Sequence, residues 1–336
     1  MAVSREFAYS IPKAELHLHL EGTLEPDLKL KLAKKNGIDI GQETVEEVEA
    51  SYEFDSLTSF LAVYYPAMNV LQDEDDFYAL GSAYFARAKE NGVMRAECFF
   101  DPQAHTTRGV ELEAVIRGYY RAVEEARKNG LSADLILCFL RDMSAESALE
   151  TLRAALPYKD MFVGVGLDSD ERDNPPQKFA EAFDLARENG LRVTMHCDID
   201  QIGSIDNIRT ALTKLGAERL DHGTNIIEDP ELVKLVVEKS IGFTSCPMSN
   251  SFVTEEMKGK EIVDLLGRGV KVSINSDDPA YFGGYIADNF LALAEKKNLT
   301  NEQIAQLARN SIEISWAEES ERSAMLDSLE EFLAAN

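Results

Sequence analysis

His17 and His19 are separated by a single leucine in the stretch Glu15-Leu-His-Leu-His-Leu-Glu-Gly22. In an extended strand, residues two apart project from the same face, so the two imidazoles are aimed into one small volume. Taken alone, the pair also fits two unrelated polar positions on a half-exposed strand. The rest of the inventory argues for chemistry. The chain has only five histidines; His196 and His222 each close a short apolar run, and Asp277-Asp278-Pro279 follows another. Asp-Pro pairs favour turns, and a single histidine is often no more than a hydrogen-bonded structural residue. Three imidazoles and a carboxylate brought together, however, are the donor set of a catalytic zinc or iron site that keeps a position open for water. The fifth histidine, His105, sits in a loop after Asp101-Pro102-Gln103 and closes no such run.

The elements that would position these residues are eight short apolar runs, at 15–22, 94–100, 134–140, 162–167, 191–196, 219–222, 241–246 and 271–275, each followed by helical sequence. Alternating β and α segments imply a parallel sheet, and eight such units predict an α/β fold of the (β/α)8 barrel type. A doubly wound open sheet is the rival, but Glu-Gly-Thr-Leu-Glu-Pro after the first strand is no dinucleotide fingerprint. In a barrel, catalytic side chains gather at the C-terminal ends of the strands. His17, His19, His196, His222 and Asp277 all fall there. The tract 27–91 is too long for an ordinary βα connection. It is expected to be a helical insertion capping the barrel mouth, with Phe60, Tyr64 and Tyr65 as wall residues. The tail from Asp288 reads as extra helices, and residues 1–336 as one domain without repeats or low-complexity linkers.

Composition limits the partners. A formal charge of −26 argues against nucleic acid, whose affinity for proteins comes from Lys and Arg displacing counterions. Four scattered cysteines, Cys98, Cys138, Cys197 and Cys246, form neither a disulfide framework nor a thiolate zinc knuckle. No apolar run approaches a membrane span or the core of a signal peptide, so a cytoplasmic protein with a small-molecule substrate is expected.

Several motifs, in order along nearly the whole chain, resemble the adenosine/adenine deaminases of the amidohydrolase superfamily. They are His17-Leu-His19-Leu-Glu-Gly-Thr, Asp221-His222-Gly223, Cys246-Pro247-Met-Ser-Asn250 and Asn275-Ser-Asp-Asp-Pro279. The segments Phe99–Gly109, Gly164–Glu171 and Pro279–Tyr285 are similar to the adenine deaminase branch. The resemblance implies a mononuclear site with His17, His19, His196 and Asp277 as ligands to one metal per chain, Zn²⁺ or alternatively Fe²⁺. Strand four carries no lysine to be carboxylated as a bridge between two metals. It further implies that His222 orients and deprotonates the attacking water or stabilises the charge developing on it, that Asp278 accepts or shares a proton with purine N7, and that Glu21 and Ser169 contact the substrate. Hydroxide then attacks C6 and ammonia leaves.

One motif departs from the family. Its strand-five histidine opens a His-Ala-Gly-Glu run whose glutamate protonates N1; here the run is His196-Cys-Asp-Ile-Asp-Gln201, with Ile199 at the glutamate position. Asp198 or Asp200 is the expected substitute acid. Ser169 stands where adenosine-type members place a glycine near the base, which fits a pocket without a ribose. The reading is a metal-dependent deaminase of adenine or a related, N6-substituted aminopurine. The alternatives are a relative acting on adenosine, another nucleoside or another heterocycle, or a metal-binding relative without catalysis.

Overall fold

The computed structural model describes residues 3–197, 202–254 and 256–336. Eight parallel strands form one sheet in sequence order: β1 Lys13–Glu15, β2 Val93–Phe100, β3 Ser132–Leu140, β4 Gly164–Asp168, β5 Arg192–Cys197, β6 Arg219–His222, β7 Gly242–Ser245 and β8 Lys271–Ile274. Helices follow the strands and pack outside them, as in a (β/α)8 barrel. The strands are buried almost throughout because both faces are covered, one by the barrel interior and one by the helices.

The ring closes through the histidine stretch. The expected strand over 15–22 is a regular ladder only to Glu15, and Glu21–Thr23 is a short 3₁₀ turn. Between them the chain pairs on both sides at once: Phe99 N donates to Leu18 O at 2.8 Å and Leu20 N to Phe99 O at 2.9 Å on the β2 side. On the β8 side, His19 N donates to Asp277 O at 3.0 Å and Asp277 N to His17 O at 3.1 Å. The apolar alternation of Leu16, Leu18 and Leu20 reads as a longer strand because these leucines are fully buried in the core.

The tract 27–91 is several helices rather than one. Pro26–Asn36, Val45–Ala50, Leu57–Ala67 and Glu74–Glu90 are each separated by a break. Ser56 caps the third and Asp73 the fourth with reciprocal capping boxes, which is why the chain restarts at those points. Helix Glu74–Glu90 packs against helix Leu112–Lys128 on the barrel wall, whereas Leu57–Ala67 lies over the mouth. Among the described residues, no helix is long and apolar enough to cross a membrane.

Candidate metal centre and active site

The strand ends bring the separated residues together. His17 Nε2 lies 3.3 Å from Asp277 Oδ1, His19 Nε2 3.4 Å from the same oxygen, and His19 Nε2 3.2 Å from His196 Nε2. A tetrahedron with metal–nitrogen bonds of about 2.05 Å has edges of about 3.3 Å. The spacing therefore matches the edges of a zinc-sized coordination tetrahedron. Ligand atoms of His17, His19, His196 and Asp277 all lie within 4.8 Å of one another, and all four residues are buried. His17 Nε2 is a buried nitrogen with no hydrogen-bond partner, pointed into this cluster. Buried polar atoms are ordinarily satisfied; an orphan facing two imidazoles and a carboxylate fits a metal ligand.

The opposite ring nitrogens face acceptors of the barrel interior. His17 Nδ1 is 2.9 Å from Thr244 Oγ1, which donates to Asp221 Oδ1 at 2.8 Å, while Thr194 Oγ1 donates to Asp221 Oδ2 at 2.7 Å. His196 Nδ1 faces Asp221 Oδ2 at 3.7 Å, and His19 Nδ1 faces Asp168 Oδ2 at 3.5 Å. At His17 the acceptor behind Nδ1 holds the tautomer that leaves Nε2 free to bind a metal, whereas the carboxylates facing His196 and His19 stand beyond hydrogen-bond reach. The strands build this layer by register: His196 on β5 pairs with Asp221 on β6, which pairs with Thr244 on β7. Laterally paired residues of a parallel sheet share a face, here the barrel interior.

His222 and Asp277 are both left-handed, at φ 60 and 65°, a conformation that costs a non-glycine residue about 1–3 kcal/mol and clusters at functional sites. His222 Nε2 stands 3.6 Å from Asp277 Oδ2. Burial, reinforced by the neighbouring His17, pushes the His222 imidazole down to about 4, so it is neutral and able to accept a proton. Burial and the charge of Asp277 drive the Asp278 carboxyl well above its usual range, which favours its protonated form. Gly22 is required here: a Cβ on it would fall 2.0 Å from Asp278 Oδ1 and 2.7 Å from Asp278 Cα.

A cavity of about 110 Å³ opens above the cluster. His19, His196, His222, Asp277 and Asp278 form its floor, and Phe60, Leu61, Tyr64 and Tyr65 of the helix Leu57–Ala67 form much of its apolar wall. Ser169 lines it too, at φ 73°, accepting a 2.7 Å hydrogen bond from Tyr65. Glu21 does not line the cavity. It is fully buried behind the wall, accepting from His105 Nε2 at 2.9 Å and Asp101 N at 3.3 Å. His105 lies on the short helix Pro102–Thr106, rather than in a loop, and is equally buried. Asp198 and Asp200 lie outside the described residues. Sequence reasoning had no role for Thr194, Thr244, Asp168 or Asp101. Burial pushes the paired Asp101 and Asp168 carboxyls upward, Asp168 to about 7. A strand-face count from His196 reaches Thr194, but Thr244 emerges only with the inter-strand register.

Comparison with known proteins supplies relatives for this arrangement. The family described as adenosine deaminase matches residues 12–332. An adenine deaminase of Hahella chejuensis is 47% identical over 332 residues, covering 98% of this chain and 99% of its own. The crystal structure of adenine deaminase from Arthrobacter aurescens superposes with a TM-score of 0.93 at 42% identity, covering 97% of this chain and 100% of that one. An amidohydrolase from Burkholderia ambifaria with bound Zn gives a TM-score of 0.88 at 25% identity, covering 100% and 97%.

Proposed function

The chain belongs to the adenosine deaminase family, whose members are metal-dependent hydrolases of the amidohydrolase superfamily, and on that premise we propose that it is a zinc-dependent adenine deaminase. It converts the free base and water to hypoxanthine and ammonia. The observation that carries this reading is the set of donor atoms 3.2–3.4 Å apart from His17, His19, His196 and Asp277, with His222 and Asp278 on the same cavity floor. The extent of identity with adenine deaminases, 47% and 42% over nearly complete chains, supports adenine as the substrate.

His17, His19, His196 and Asp277 would hold one Zn²⁺; imidazole ligands also suit Fe²⁺. When bound, such an ion supplies Lewis acidity that brings the pKa of a water molecule to roughly 7. The remaining work belongs to the chain. His222, neutral and 3.6 Å from Asp277 Oδ2, orients the water and takes its proton as oxygen bonds to C6. Asp278 shares its proton with N7, anchoring the ring so that C6 faces the water. Attack at C6 pushes charge onto N1, which needs a proton from a carboxylic acid. Ile199 occupies the family's glutamate position, so this acid is Asp198 or Asp200. Proton transfer to the exocyclic nitrogen then allows ammonia to leave. The apolar cap wall and the buried floor exclude bulk water, which strengthens each of these polar contacts.

Ammonia release by protein reconstituted with one equivalent of Zn²⁺ tests the reading, with adenine, adenosine and N6-alkyl adenines compared side by side. Adenine is expected to be turned over with the highest kcat/KM. His17→Ala should lose both the metal, measured by elemental analysis, and more than about 10³-fold of the activity, because the water then reverts toward its bulk pKa. Preference for a nucleoside, or two metals per chain in the active form, would overturn it.

A further inference from the structure

Beyond the metal floor, the segment that follows β4 is tied to the cap at two places. Ser169 accepts from Tyr65 at 2.7 Å, and Arg172 Nη2 donates to Thr58 Oγ1. Both cap partners lie on the helix Leu57–Ala67. Between the two ties stands Glu171, which lines the same cavity as His19, His222 and Asp278. Its side chain is only 8% exposed, and its Oε2 is buried with no hydrogen bond, 3.3 Å from Arg141 Nη1. Arg141 is itself fully buried and donates to the carbonyl of the ligand His196 at 2.8 Å. Beyond the ion pair with Arg141 no hydrogen bond satisfies Glu171 Oε2, and the residue lines a ligand cavity, so its carboxylate has acceptor capacity left for a donor bound there.

The chemistry of the substrate supplies one. A free purine base carries a ring N–H on its imidazole portion that a nucleoside has replaced with a glycosidic bond. C6 and N7 must face the floor, at His222 and Asp278. N3 and N9, at the far end of the bicycle, then point toward the mouth. Glu171 is three residues beyond the end of β4 at Asp168, and β4 is four strands around the ring from β8, whose end carries Asp277 and Asp278. It therefore stands on the mouth side of the ring, opposite the anchoring aspartates. Resting on the reading of the site as a purine deaminase, we propose that Glu171 is the specificity residue for the free base: its carboxylate accepts the N9–H that nucleosides lack. Ser169–Tyr65 and Arg172–Thr58 hold the loop so that the carboxylate is aimed before the ligand arrives.

The experiment compares adenine with 9-methyladenine, which keeps the ring, the reacting carbon and N7 but has no N9–H. Wild-type enzyme should favour adenine by at least 10-fold in kcat/KM. Glu171→Ala should raise KM for adenine about 10- to 100-fold, the range for a lost hydrogen bond to a charged group. Its kcat should stay within about threefold, since the contact is equal in ground and transition states, and its preference over 9-methyladenine should collapse. Glu171→Gln, which keeps one acceptor oxygen, should restore part of the KM. Zinc content checks that each variant is intact. Wild-type enzyme that treats the two bases alike overturns the proposal without any variant, and so does Glu171→Ala with unchanged discrimination, which would assign the preference to shape. A zinc-loaded wild type that deaminates no 6-aminopurine would instead overturn the underlying reading.

Discussion

The two ends of the barrel bury similar chemistry in opposite states. At the N-terminal end, Glu97 on β2 is fully buried, and both of its oxygens are occupied. Oε1 accepts from Arg95 Nε at 2.8 Å and from Trp316 N, and Oε2 accepts from Arg219 Nη1 at 2.6 Å. The Arg219 guanidinium lies 4.3 Å over the Trp316 ring and reaches Leu16 O at 3.2 Å. Gly164 is glycine because the same indole would come within 2.7 Å of a Cβ there. At the C-terminal end, His17 Nε2, Asp278 Oδ1 and both oxygens of Asp168 are buried without a hydrogen-bond partner, and Glu171 Oε2 has only its ion pair with Arg141. A carboxylate satisfied on both oxygens by two guanidinium groups is stability, although Arg219 Nε is left without a hydrogen bond; several open valences gathered around one cavity are a site awaiting a metal and a substrate. Barrel architecture divides its labour in this way, with chemistry confined to one rim.

Breaking the closed end should give the largest change, and only in stability. Glu97→Ala leaves Arg95 and Arg219 buried beside a missing charge, which costs about 3–5 kcal/mol. Thermal or denaturant unfolding reads this directly. Metal content and kcat of the folded fraction should be unchanged. A comparable loss of kcat at intact stability would mean that the two ends are not separable.

At the open end, the expected loss is in turnover and not in folding. At least one of Asp198→Asn and Asp200→Asn should lower kcat by about 10²-fold or more, the contribution of a general acid, while the zinc stays bound. Near-normal turnover in both variants and in the double variant would remove both as the acid.

How far the sequence reveals this division follows from the kind of signal each part leaves. Strands β2 to β8 are legible because each is an apolar run bounded by turn residues, and their observed limits differ from the expected ones by at most two residues. The rim residues are legible because histidines are scarce and fall at strand ends. The histidine stretch itself is less so. Its leucine alternation signals burial, and only the folded ring shows that it divides its hydrogen bonds between β2 and β8. The tract 27–91 conceals a barrel helix, Glu74–Glu90, beside the cap helix Leu57–Ala67, since both set alanines and aromatic residues at helical spacing. Glu171 is visible in a motif, but its direction depends on the ties to a helix more than 100 residues earlier.

The smallest effect is the one that resolves the rim most finely. Thr244 is an ordinary strand former by residue type, yet its hydroxyl stands between His17 Nδ1 at 2.9 Å and Asp221 Oδ1 at 2.8 Å. Since Thr244 donates to Asp221, its oxygen is left to accept from Nδ1–H, which fixes Nε2 as the bare nitrogen facing Asp277. Thr244→Val keeps the shape and removes both bonds. The imidazole is then free to place its proton on either nitrogen, and Asp221 keeps only Thr194 as a hydroxyl donor. Loss of such a partner typically weakens metal affinity by about 10- to 100-fold. The predicted signature is a shifted zinc titration with kcat largely recovered at saturating zinc, because the ligands themselves remain. A kcat that stays low at saturation would place Thr244 in the chemical step, and an unshifted titration would show that Nδ1 needs no acceptor behind it.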